Sequence, residues 1–124
     1  MLNKIMLIGN VTRDPELRYT PGGNANCSFS VAVNRRWRND AGEKQEDVEF
    51  FNVVAWSKLG ETCNEFLAKG SKVYVEGRLQ TRSWEKDGEK KYRTEVVASV
   101  MTMLDSRRDI DGADGPDDAS KAPF

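Results

Sequence analysis

The chain has 124 residues, 38% of them hydrophobic and 31% charged, with a net charge of −1. That is one domain's worth of chain with one modest core, and no run approaches the roughly 20 apolar residues of a membrane span. Met1-Leu2-Asn3-Lys4-Ile5 lacks the apolar run and cleavage site of a secretion signal, so a bacterial-type cytoplasm is the expected location.

There is no histidine, and the two cysteines, Cys27 and Cys63, fall in no metal-ligand spacing. This removes the commonest general base and the usual zinc sites; both thiols are expected as reduced, buried core residues. No metal, cofactor or small-molecule substrate is expected. The small net charge conceals an asymmetry. Residues 105–124 carry six acids against three bases, a net −3, which leaves +2 on residues 1–104. A mildly basic body with an acidic tail follows.

Residues 2–11 (LNKIMLIGNV) are apolar and β-compatible, a first strand. Thr12 to Gly23 reads as loop, with Asp14-Pro15 and Pro21-Gly22-Gly23 as turn signals. Residues 26–37 alternate, with Cys27, Phe29, Val31 and Val33 on one face. Asn39-Asp40-Ala41-Gly42 turns the chain into a third strand, 47–56. There Phe51, Val53 and Ala55 share one face, and Phe50, Asn52, Val54 and Trp56 the other. From Ser57 to Lys69 the period becomes helical, with Leu59, Thr62, Cys63, Phe66 and Leu67 on one stripe. Ser57 is placed to cap its start and Gly70 its end. Residues 72–84 return to period two: Val73, Val75, Gly77 and Leu79 inward, Tyr74, Glu76, Arg78, Gln80, Arg82 and Trp84 outward. Asp87-Gly88 is a hairpin signal ahead of a fifth strand, 91–104. Beyond Leu104 almost nothing can be buried, so Asp105 to Ala122 is expected to be disordered.

The expected fold is all-β with one short helix: a five-stranded antiparallel barrel of order β-β-β-α-β-β, the order of an OB-fold, over residues 1–104. OB-folds often bind oligonucleotides. A protein that holds any single strand can offer cations to phosphates and flat rings to bases, which stack whatever their identity. Each tryptophan here lies beside cations, in Arg35-Arg36-Trp37-Arg38, Trp56-Ser57-Lys58 and Arg82-Ser83-Trp84-Glu85-Lys86. Aromatic residues in strands are usually core, and Phe29, Phe51 and Phe66 are read that way. Phe50 and Trp56 lie on the face opposite Phe51 and Val53, and Trp84 shares a charged face. Simple alternation puts Trp37 with Phe29 and Val33, so it turns outward only where a bulge or the strand end intervenes. Arg36, Arg38, Arg78 and Arg82 are placed to meet phosphates.

Several ordered segments carry a resemblance: Asn3-Lys-Ile-Met-Leu-Ile-Gly-Asn10, Asp14-Pro-Glu-Leu-Arg-Tyr19, Val53-Val-Ala-Trp-Ser-Lys-Leu59, Lys69-Gly-Ser-Lys-Val-Tyr-Val-Glu-Gly-Arg-Leu79 and Thr81-Arg-Ser-Trp84. From Asn3 to about Leu104 the chain resembles the bacterial single-stranded DNA-binding protein family. The resemblance implies an OB-fold homotetramer that wraps single-stranded DNA in replication, recombination and repair. It places stacking on Trp37, Phe50, Trp56 and Trp84. Phe50 stands where the family usually has tryptophan, and Trp56 where it usually has phenylalanine. Cationic positions implied are Arg18, Lys58, Lys69 and Arg82. Family members end in aspartates, a hydrophobic residue, proline and phenylalanine, the docking site for replication and repair enzymes. Here Asp117, Asp118, Pro123 and Phe124 match, while Lys121-Ala122 replaces an acid and a large apolar residue.

Asp109-Ile110-Asp111-Gly112-Ala113-Asp114 lacks the third ligand and the bidentate glutamate of a calcium loop. The alternative reading is an OB-fold primosome or adaptor protein working mainly through protein contacts. An enzyme such as a nuclease needs carboxylates converging on a metal. Glu43, Glu46, Asp47, Glu49, Glu85, Asp87 and Glu89 are instead expected in turns and hairpin tips, so the chain is read as non-enzymatic.

Overall fold

Period-two burial builds the barrel. The computed structural model describes residues 1–105. The elements run β1 (Ile5–Val11), β2 (Glu16–Tyr19), β3 (Ala25–Arg38), β4 (Lys44–Trp56), α1 (Ser57–Phe66), β5 (Lys72–Lys86) and β6 (Glu89–Met103). Cys27, Phe29 and Val31 of β3 face Ala55, Val53 and Phe51 of β4 in register. These join Val73 and Val75 of β5 and Val96 of β6 in one core. The sheet runs β1-β5-β6-β4-β3-β2, and a further β1–β3 pairing at Asn10↔Ala32 and Val11↔Val31 closes it. The five-stranded barrel with one short helix therefore stands, with a short further strand, β2, added ahead of β3.

Three details of the sheet differ from the sequence reading. Leu79, expected inward with Val73 and Val75, is 42% exposed, because β5 is exposed from Arg78 onward. Residues 16–19, taken as loop, form β2 along the edge of β3. And one ladder is parallel, not antiparallel: β4 meets β6 at Val53↔Val96 and Val54↔Val97. Such register arises from barrel closure between distant segments, which local alternation does not encode.

A bulge shapes the last strand. Glu76 pairs with Val100 but Gly77 with Ala98, which leaves Ser99 as an extra residue on β6. Inward parity therefore switches from Val96 and Ala98 to Met101 and Met103. Gly77 is required beside this bulge, because a Cβ there would run into the carbonyl of Val97.

The helix ends differ from expectation too. Trp56 is the N-cap, with no side-chain hydrogen bond, and Ser57 is instead the first helical residue at φ 56°. The C-cap is Leu67; Gly70, at φ 95°, turns the chain three residues later. Phe66, expected in the core, is 55% exposed, while Cys63 and Leu67 supply the buried stripe. The helix sits hard against the sheet at Gly60, where a Cβ would meet the carbonyl of Ala55.

Candidate nucleic-acid interface

β2 and the outward faces of β3, β4, β5 and β6 form a groove of about 510 Å³ that contains Arg18, Trp56 and Arg82. Its floor is Val54, 7% exposed, on the same side of β4 as Trp56. Alternation produces this arrangement: Phe50, Val54 and Trp56 are separated by even numbers of residues, so the face that cannot reach the core presents rings. Phe50 is 65% exposed and Trp56 43% exposed, against 0% for Val53 and Ala55 between them.

Cross-strand rows order the cations. Arg18 pairs with Asn26, and Asn26 with Trp56. Arg82 lies directly opposite Arg93, and Trp84 directly opposite Lys91. Trp84 thus shares a face with five cations, Arg78, Arg82, Lys86, Lys91 and Arg93.

Trp37 reaches solvent by a different route. The β3–β4 ladder stays regular through Trp37↔Gln45, so no bulge turns the ring. Pairing of β3 with β1 stops at Ala32, and beyond it only β4 accompanies the strand. The hairpin outruns the barrel, and a side chain of inward parity meets water instead of core. The Arg35 guanidinium carbon stands 4.3 Å from the Trp37 ring centroid, a cation–π contact.

The remaining cations differ in how they are held. Arg36 donates to Glu46 at 3.2 Å and Arg38 to the Gly42 carbonyl at 3.0 Å, both on the hairpin arm. Arg18 pairs with Glu16 at 3.1 Å. All are exposed, and surface pairs of this kind are worth about 1 kcal/mol or less, so an incoming phosphate can displace them. Lys58, on the first turn of α1, and Lys69 are exposed but lie outside the groove lining. Asp117, Asp118, Pro123 and Phe124 lie outside the described residues.

Sequence reasoning missed Arg13 and Arg93, both in the groove lining, and the acid Glu95 at its floor. Glu95 is 5% exposed and accepts from Arg82 through both carboxylate oxygens, at 2.9 and 3.0 Å. Counting alternation back from Val97 would have found both Arg93 and Glu95 on this face. The acids expected in turns are also redistributed, since Glu46, Asp47 and Glu49 belong to β4. Among the described residues, no group of three Cys, Asp or Glu side chains is gathered to hold a metal. No helix among them is long and apolar enough to cross a membrane.

The profile of the Single-strand binding protein family matches residues 2–104. The chain belongs to that family. It is 46% identical over 121 residues to Single-stranded DNA-binding protein 1 of Chlorobaculum tepidum, covering 96% of this chain and 73% of the relative. Single-stranded DNA-binding protein 2 of Listeria innocua is 45% identical over 114 residues, 91% of this chain and 70% of that one. Among solved structures, the complex of Plasmodium falciparum SSB with ssDNA superposes with a TM-score of 0.79 at 34% identity, covering 85% of this chain and 96% of the other. A deletion mutant of the single-stranded DNA binding protein from Thermus aquaticus gives a TM-score of 0.77 at 37% identity, over 86% and 52% of the two chains.

Proposed function

We propose that this protein binds single-stranded DNA with little regard to base sequence and, by coating it, serves replication, recombination and repair without acting as an enzyme. The observation that carries the reading is the exposed aromatic face of the barrel, with Trp56 and Arg82 in one groove. Bases stack on Trp56, Phe50, Trp84 and Trp37; phosphates meet Arg82, Arg93, Arg78 and Arg18, with Arg36, Arg38, Lys58 and Lys69 extending the track. Family membership supports it, as does the ssDNA complex of a relative of the same fold. Residues 1–104 act as the binding domain and four copies assemble. Residues 105–124, through Asp117, Asp118, Pro123 and Phe124, dock replication and repair proteins.

Titration of the intrinsic tryptophan emission with poly(dT), repeated across salt concentrations, tests the binding. Quenching with a defined site size, and affinity that falls as salt rises, is the expected result. Weak binding that does not grow with oligonucleotide length would instead favour the adaptor reading.

A further inference from the structure

A buried carboxylate in the lining of a groove meant for a polyanion calls for a physical reason. The Glu95 side chain is 6% exposed, while those of its partners Arg82 and Arg93 are 55% and 43% exposed. Nε of Arg82 donates to Oε1 at 2.9 Å and its Nη2 donates to Oε2 at 3.0 Å; Nε of Arg93 stands 3.8 Å from Oε2. An ionised carboxylate removed from water needs such pairing, but the pairing also acts on the arginine. A side-on fork fixes the guanidinium plane through Nε and Nη2. It leaves the Nη1 edge, on a half-exposed side chain, to meet an oxygen in the groove.

We propose that Glu95 is a positioning residue for phosphate contact: it orients the Arg82 guanidinium, with Arg93 alongside, while cancelling one positive charge at the groove floor. This rests on the single-stranded DNA reading above. The groove gains a directed donor pair and gives up part of its undirected attraction. Of the two arginines, Arg82 is the one held in both directions, so it carries the larger share of the oriented contact.

Glu95→Gln keeps the shape and an acceptor oxygen but restores the cancelled charge. Titrated with poly(dT), it is expected to show a steeper fall of affinity with salt. A single-strand slope of about −0.7 per phosphate neutralised makes the loss between 50 and 200 mM salt roughly 2- to 3-fold larger than for the unaltered protein. A purely structural role would lower the melting temperature and leave that slope alone, so an unchanged or shallower slope overturns the proposal. Should Glu95→Gln fold poorly, Arg82→Lys provides the second arm. It keeps the charge but cannot make the fork, and it should weaken binding several-fold at 200 mM salt with the slope preserved. Equal affinity for that variant would also refute the positioning role. Failure of the unaltered protein to bind poly(dT) would instead sink the functional reading itself, and the two failures are distinguishable.

Discussion

Arg18 and Trp56 occupy one row across three strands, each directly opposite Asn26. With neighbouring strands about 4.8 Å apart, the backbones that carry the cation and the ring run about 10 Å from each other, and both side chains project on the same face. That separation suits a strand whose base lies on the indole while its backbone passes the guanidinium. β2, the element absent from the sequence reading, is what delivers Arg18 to this position.

The first prediction concerns stacking. Trp56→Ala and Trp84→Ala should each weaken binding to mixed-sequence oligonucleotides by roughly 1–3 kcal/mol, the usual worth of one stacked base. Both rings are already more than 40% exposed, so the folded barrel loses little on truncation. Fluorescence titration measures the affinity and circular dichroism the fold. Normal binding by both folded variants would show that the DNA lies elsewhere.

The second concerns the junction of β4 and α1. Ser57 holds φ 56°, a left-handed conformation that costs a residue with a Cβ about 1 kcal/mol or more. Ser57→Gly should therefore raise stability, by up to about 1 kcal/mol. Gly60→Ala should do the opposite, since its methyl group would meet the Ala55 carbonyl and push the helix from the sheet. Overpacking of this kind costs about 1–3 kcal/mol. Denaturant midpoints of the two variants should move in opposite directions.

The third is a pH dependence. Burial pushes the Cys27 thiol up from 9.0 to about 11; burial, and then the neighbouring Cys27, push Cys63 up to about 12. A folded thiol that keeps its proton more tightly than the unfolded one adds nothing to the slope well below the ordinary value. Once pH passes about 9, the unfolded chain sheds protons first, and stability falls until the folded values are reached. Stability should thus be level between about pH 7 and 8 and decline above 9. Replacing both cysteines by alanine should flatten that decline, although it lowers stability throughout through lost packing. At about pH 8 neither thiol should react with an aromatic disulfide reagent until denaturant is added.

Much of this molecule is legible in local pattern, and the exceptions have physical causes. The split of β4 between Phe51-Val53-Ala55 and Phe50-Val54-Trp56 needs only period two, and it located the groove's principal ring. Residues 16–19 escaped because Glu-Leu-Arg-Tyr offers a single inward residue, too little periodicity to separate a short edge strand from a loop. Trp37 could be placed only by knowing where the barrel ends. Phe66 obeys the helical stripe, yet it is the last helical residue and projects beyond the sheet that buries Cys63. Glu95 and Arg93 went unseen for another reason. Counted back from Met101 and Met103, alternation gives the wrong face, because the Ser99 bulge intervenes.

The last prediction is assembly, for which β1 supplies the argument. Over residues 5–9, β1 is laddered to β5 alone, so its other edge carries unpaired backbone groups among the described residues. Strand edges left in this state invite pairing with another chain. The side chains beside that edge are apolar as well: Met6 is 62% exposed and Ile8 39% exposed. Met6 also lies in one row with Glu76 and Val100, the latter 40% exposed. A two-fold pairing would set the β1 edges of two copies side by side. The same operation would place their apolar rows in one continuous patch, available to a second pair. Four copies are therefore expected by light scattering at micromolar concentration. Ile8→Lys puts a charge into the patch without entering the core, so it should shift the mass to dimer or monomer while each barrel stays folded. A single-copy mass for the unaltered protein would refute the assembly outright. An Ile8→Lys variant that still scatters as four copies would move the interface away from β1.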